Sequence, residues 1–267
     1  MNKTHVQEVW KMKFTIYLTA AIALSVLMAS PAAGSLLTNG DFESWTDGDP
    51  DSWTLFATGG ANEVAGLDGI GSAAALTKGG DVQAQVRQAL SATLADQFEM
   101  SYDFAVDTSG VAAGDPATQT TLRDDSGAPY INLRVYGDGS LYMRGSGGFT
   151  QLAGSAGLID SSDFDSNLIN AYKVTIAGNL GVDFDVTLID LSDNSQLGMW
   201  TDLSLFQKDP SSEGSGYIAE VFFDPGRGNV ESGNWRVDNV SVAVPEPATM
   251  ALLAAGGLAV LRRRRKA

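Results

Sequence analysis

Between residues 36 and 243 the hydrophobic residues recur at every second position, and that period decides what the chain can fold into. Phe98, Met100, Tyr102, Phe104 and Val106 share one face of their segment, while Glu99, Ser101 and Asp103 share the other. Tyr172, Val174 and Ile176 alternate likewise. After Gly178-Asn179-Leu180-Gly181 so do Val182, Phe184, Val186 and Leu188, and Tyr217, Ala219, Val221 and Phe223 form a further set. Side chains two apart lie on one side of a strand, whereas a helix needs a spacing of three or four. Each run is bounded by Gly, Asn, Asp or Pro, the residues that turns require. Short strands with one apolar and one polar face predict an all-β, antiparallel two-sheet sandwich. Residues Val111–Asp125, with Gly114, Asp115 and Pro116, read as a long polar loop, and no internal repeat is detectable.

The two ends have a different grammar. Residues 1–34 read as a secretory signal peptide: Lys11 and Lys13 form a basic flank, Phe14–Met28 an apolar core, and small residues follow at Ala32-Ala33-Gly34. This predicts an N-terminal helix, processing by signal peptidase and export. Met12-Lys13-Phe14 would itself make a compact start. Residues 244–267 read Pro245-Glu246-Pro247, then an apolar run from Ala248 to Leu261, then Arg262, Arg263, Arg264, Arg265 and Lys266. As a helix the run spans roughly 21 Å, short of the roughly 30 Å of a bilayer core. The basic cluster stays on the cytoplasmic side and stops transfer. This order of tripeptide, apolar run and arginine cluster resembles the PEP-CTERM sorting signal. That resemblance implies recognition by exosortase, a transient stay in the inner membrane, and release or attachment at the cell surface. A plain C-terminal membrane anchor is the other reading of the same residues.

The remaining 35–243 is long enough for one domain. Of 17 basic and 32 acidic residues in the chain, the end segments hold eight and two, leaving 9 and 30 and a net charge of −21. Such a body does not bind nucleic acid or anionic lipid through its charge. It has no cysteine, and the chain's one histidine, His5, lies in the leader. Serine, cysteine and zinc mechanisms therefore lack a partner. A glycosidase needs only two carboxylates, but the Glu-x-Asp-x-Glu strand motif of concanavalin-like glycosidases does not occur among Glu43, Glu63, Glu99, Glu213, Glu220 and Glu231. No catalytic residue is assigned.

The two ends of the body carry a second resemblance. Leu36-Leu37-Thr38-Asn39-Gly40-Asp41-Phe42-Glu43-Ser44-Trp45 with Pro50-Asp51-Ser52-Trp53, and the closing Trp235-Arg236-Val237-Asp238-Asn239-Val240, resemble galactose-binding-like jelly-roll carbohydrate-binding modules. The middle resembles concanavalin-like, laminin-G-like sandwiches. Both imply a two-sheet sandwich that associates with polysaccharide. The first implies a structural calcium ion, Ca2+, held by acidic residues of the first and last strands, here Glu43 and Asp238. The phase of the last strand slips between Val237 and Val240, which predicts a bulge.

The clearest hairpin runs from Ile131 to Arg144 around Gly137-Asp138-Gly139. Its register sets Val135 against Leu141 and Leu133 against Met143 inside, and Arg134 against Tyr142 and Asn132 against Arg144 outside, with Tyr136 nearby. Tyrosine rings match the C–H face of a pyranose and arginines supply fixed donors to its hydroxyls. The same residues also fit a cross-strand cation–π arrangement with no ligand. Trp45 and Trp200 are candidate platforms or core packing, and Trp53 and Trp235 are read as core plugs. The expectation is a non-catalytic surface protein that associates with extracellular polysaccharide. The competing one is a passive coat protein whose charge keeps it soluble.

Overall fold

The alternation becomes two seven-stranded antiparallel sheets, face to face, in a computed structural model that describes residues 35–47, 49–56, 60–67, 71–77, 85–145, 148–160, 170–204, 217–225 and 235–244. With strands numbered along the chain, the front sheet runs β11 (Gly148–Gln151), β10 (Leu141–Gly145), β9 (Pro129–Tyr136), β8 (Pro116–Arg123), β15 (Ile218–Asp224), β6 (Gln85–Leu94), β3 (Thr54–Phe56). The back sheet runs β14 (Gln196–Leu203), β13 (Asp183–Asp190), β12 (Tyr172–Asn179), β7 (Gln97–Val106), β16 (Trp235–Ala243), β5 (Ser72–Thr77), β4 (Gly60–Ala65). A short ribbon pairs β1 (Trp45–Thr46) with β2 (Asp49–Pro50). Residues Ser35–Val244 make one compact unit. The leader, the tail and the two helices expected in them lie outside the described residues. Among the described residues no helix is long and apolar enough to cross a membrane.

The core sits between the sheets and is built by the residues that alternate. Phe98, Met100, Tyr102, Phe104 and Val106 of β7 are buried, as are Tyr172, Val174 and Ile176 of β12. Leu133 and Val135 of β9 and Leu141 and Met143 of β10 face them from the front sheet. Tyr102 brings a hydroxyl into this core, where the Thr120 hydroxyl of β8 donates to it at 2.9 Å. Burial pushes the Tyr102 hydroxyl well above the usual tyrosine range, so it stays neutral. Trp53 and Trp235 both plug the core.

Three expectations change. Val111–Asp125 is not one long loop, because β8 occupies Pro116–Arg123 in the middle of the front sheet and is buried on both faces. Its Ala-Thr-Gln-Thr-Thr sequence looks polar. Threonine is β-branched, however, and hydrogen bonds offset the burial of two hydroxyls: Thr120 donates to the Tyr102 hydroxyl of the facing sheet, and Thr121 accepts from the Gln119 amide. Val182 does not continue the β13 face. It sits in the turn, its N–H donating to the Asn179 carbonyl at 3.1 Å, and its side chain is 61% exposed. In β15 the residues that face the core are Ile218, Val221 and Phe223, because a register irregularity between Ile218 and Glu220 shifts the phase that Tyr217 and Ala219 suggested.

The opening segment Leu36–Ser44 is irregular rather than a strand, with Asn39 and Phe42 both at φ 53°. It still runs beside β16: Leu36 N–H donates to Val242 O at 2.6 Å and Val240 N–H to Gly40 O at 2.7 Å. The predicted bulge is present between Asp238 and Ser241, with Asn239 in the left-handed region at φ 49°. Gly40 packs directly on this bulge, and a Cβ there would lie 2.0 Å from the Val240 carbonyl oxygen. Gly40→Ala therefore has to push backbone from backbone. It is expected to cost about 1–3 kcal/mol, read as a lower urea midpoint at unchanged slope.

Candidate ligand-binding face

The outer face of the front sheet collects polar and aromatic side chains from six adjacent strands, and the ladder register dictates which ones meet. Across one row stand Gln151 of β11, Tyr142 of β10, Arg134 of β9, Gln119 of β8 and Asp224 of β15. In the neighbouring rows Arg144 stands opposite Phe149, Asn132 opposite Thr121, and Phe222 opposite both Thr121 and Arg87. Arg123 stands opposite Glu220. Directly opposed residues share a face of the sheet.

Within this face the contacts are specific. Arg134 donates from Nε and Nη2 to Gln119 Oε1 at 2.8 and 2.6 Å, and its guanidinium carbon lies 3.6 Å from the centre of the Phe149 ring. Arg144 lies 5.8 Å from the same ring centre. Tyr136 and Tyr142 stack with ring centres 4.0 Å apart at 31°. Arg123 pairs with Glu220 at 2.8 Å and lies over Phe222 at 4.5 Å, and Arg87 approaches Glu220 at 3.9 Å. Toward the β11 edge Arg134, Tyr142, Arg144 and Phe149 are half-buried and Gln151 is exposed, while Gln119, Thr121, Asn132 and Phe222 are buried. Among the described residues Asn132 Oδ1 has no hydrogen-bond partner, an omission that ordinarily costs about 1–3 kcal/mol.

Four of the candidates thus converge: Arg134, Tyr136, Tyr142 and Arg144 occupy one patch. Trp45 and Trp200 do not join it. Trp45, on the small ribbon, packs against the core and donates its indole N–H to the Phe42 carbonyl. Trp200 of β14 stands opposite the buried Val186 and donates to Ala153 O at 2.8 Å, closing the edge of the sandwich. Phe149 and Gln119 complete the patch, and neither was among the residues singled out by type and spacing. The Gly-Gly-Phe at 147–149, close behind Arg144, is the turn-and-aromatic signal that points to β11.

Glu43 and Asp238 meet the same hairpin from two sides. Glu43 Oε1 accepts the Ser72 N–H at 2.7 Å, and Gly71, at φ 67°, leaves the room in which that carboxylate lies. Asp238 Oδ2 accepts the Leu67 N–H at 3.1 Å and its Oδ1 the Asn239 N–H at 2.7 Å. Glu43 precedes the first strand instead of lying on it. Among the described residues no three acidic side chains converge as a metal site. Calcium needs six to eight oxygens, so these two carboxylates, engaged with backbone amides, do not fit it by themselves. The sorting residues Pro245, Glu246, Pro247 and Arg262–Arg265 lie outside the described residues.

Comparison with known proteins identifies a PEP-CTERM protein-sorting motif over residues 243–266. No curated protein matches the chain. Among solved structures, lectin II from Ulex europaeus is similar at 14% identity over 76% of this chain and 96% of its own, with a TM-score of 0.46. Arcelin-5, a lectin-like defence protein from Phaseolus vulgaris, is similar at 12% identity over 75% and 94%, TM-score 0.46. The T. cruzi calreticulin globular domain is similar at 9% identity over 84% and 93%, TM-score 0.47. With TM-scores below 0.5, none of the three assigns a ligand to this chain.

Proposed function

We propose that this protein is exported, sorted through its C-terminal motif, and binds extracellular polysaccharide on the outer face of the front sheet without catalysis. The sorting motif implies export and handling by an exosortase. In this reading residues 1–34 are the signal peptide, 35–243 the binding domain and 244–267 the segment held in the inner membrane during sorting. The observation that carries the binding role is the patch of Tyr136, Tyr142, Arg134 and Phe149. It sets two stacked tyrosines and an oriented guanidinium on one half-buried surface. A ring face packs against sugar C–H groups and a guanidinium holds hydroxyls at fixed angles.

The second reading is a passive coat protein, and one observation favours it: Arg134 already rests on Phe149 and Gln119, a self-sufficient cross-strand arrangement. Affinity electrophoresis of the full chain in mild detergent, through a panel of polysaccharides, separates the two. Binding predicts retardation by at least one polymer, weakened about tenfold or more by Tyr142→Ala, equivalent to roughly 1.4 kcal/mol. Equal mobility of the folded protein in every gel leaves the coat role as the function.

A further inference from the structure

We infer that Tyr136 and Tyr142 form a site of oxidative coupling, where a peroxidase acting on hydrogen peroxide joins the two rings and staples β9 to β10. The inference goes beyond the glycan reading and stands without it. Its first support is geometric. The ring centres lie 4.0 Å apart at 31°. Rings that close bring their carbons to roughly 3.5–4 Å, van der Waals contact. The backbone sets this approach. Tyr142 stands directly opposite Arg134, and Tyr136 is two residues further along that strand, so the tyrosines are diagonal neighbours on one face. The turn between them is closed by its own hydrogen bonds. Tyr136 N–H donates to Ser140 O and Gly139 N–H to Tyr136 O, each at 2.9 Å. The rings therefore meet without movement of the main chain.

The second support is access. Tyr136 and Tyr142 are half-buried on the outer face, whereas Tyr102, Tyr130 and Tyr172 are buried. Trp53 and Trp235, rings that an oxidant would also attack, are enclosed in the core. The chain has no cysteine, so an exported body of this kind cannot be cross-linked by disulfides. Phenol coupling supplies a covalent link that needs no thiol. In the reaction each phenol gives up one electron and one proton, and the two radicals join through the Cε carbons beside their hydroxyls. A proton then shifts from each joined carbon to its oxygen, which restores both phenols. The protein loses two hydrogens in all, and these convert one hydrogen peroxide into two waters.

The test treats the full chain in mild detergent with a haem peroxidase and limiting hydrogen peroxide, under conditions that couple free N-acetyltyrosine. Tryptic cleavage after Arg134 and Arg144 leaves both tyrosines in peptide 135–144. That peptide is expected to appear two hydrogens lighter, with dityrosine fluorescence and no backbone fragments from between the two rings. The protein should still run as a monomer on a denaturing gel. Tyr136→Phe and Tyr142→Phe keep the ring and remove the phenol, and each should abolish the product. Tyr217→Phe should leave its yield unchanged. An unaltered peptide 135–144 overturns the inference, and so do covalent oligomers formed in its place. Loss of two hydrogens from this peptide in the Tyr142→Phe protein also overturns it, because the oxidation then lies elsewhere.

Discussion

Phe223→Ala is expected to remove about 3–5 kcal/mol of folding stability, the top of the range for one buried aromatic ring. Phe223 is fully buried on β15, and three rings surround it: Tyr102 at 5.3 Å, Trp235 at 5.5 Å and Trp53 at 5.9 Å between centres. These neighbours come from β7, from β16 and from the segment before β3, so the cluster ties both sheets to the opening of the chain. The site also resists collapse. Trp53 is fixed by its indole N–H donating to Asn39 O at 2.9 Å, and Tyr102 by the Thr120 hydroxyl. A cavity whose walls are pinned keeps its full cost, whereas one that closes recovers much of it. Domains of this kind are stable by about 5–15 kcal/mol, so the loss is a large share of the total. Equilibrium urea unfolding reads it as a lower midpoint with the same slope. A loss below about 1 kcal/mol would mean that the rings close over the vacancy and that the cluster does not join the sheets. Trp235→Phe supplies the contrast within the same cluster. Among the described residues the indole N–H of Trp235 has no acceptor, so its removal also relieves an unsatisfied donor. That substitution is expected to cost less than about 1.5 kcal/mol.

Where sequence and structure agree, a local rule was strong enough to act alone. The hairpin around Gly137-Asp138-Gly139 places Arg134 opposite Tyr142 and Leu133 opposite Met143, as alternation and loop length require. The bulge at Asp238–Ser241 was visible as a slip in phase, because Val237 and Val240 both pack into the core, which positions three apart cannot do on an unbroken strand. Strand β8 was hidden for the opposite reason. Its burial comes from neighbours on both sides, Tyr102 for Thr120 and Arg134 for Gln119, and composition carries no trace of such partners. The candidate face was half legible. Arg134, Tyr136, Tyr142 and Arg144 follow from one hairpin, whose register is local. Gln119 and Phe222 reach the face only through long-range strand pairing, and no spacing in the sequence announces it. Trp45 and Trp200 were selected for residue type, and it is their packing and indole hydrogen bonds that set them apart from the face.

Asp238→Ala is expected to cost about 2–4 kcal/mol, and its dependence on calcium decides what the carboxylate is for. Asp238 is buried on β16 directly opposite Asp103 of β7, itself buried, with Lys173 of β12 on the far side of Asp103. Two like charges across a ladder repel, which argues that removing one stabilises the sheet, by up to about 1 kcal/mol on the scale of cross-strand pairs. Lys173 Nζ at 3.4 Å from Asp103, and the Asn239 side-chain amide donating to Asp103 at 2.9 Å, already offset part of that repulsion. Against it stand the two backbone N–H groups that Asp238 accepts, those of Leu67 and Asn239. Hydrogen bonds to a charged acceptor contribute about 1.5–3 kcal/mol each, so the loss of two outweighs the relief. The first of them joins residues 171 apart in sequence and fixes the β4–β5 end onto β16. If the amides are the reason for the carboxylate, Asp238→Ala lowers the unfolding free energy equally in EDTA and in millimolar calcium. A penalty that appears only with calcium, together with a melting temperature of the parent protein that falls in EDTA, would replace the amide account with a calcium ion held through Asp238 and Glu43. A gain in stability in both buffers would show that repulsion from Asp103 dominates and that the two amide hydrogen bonds do not hold the bulge in place.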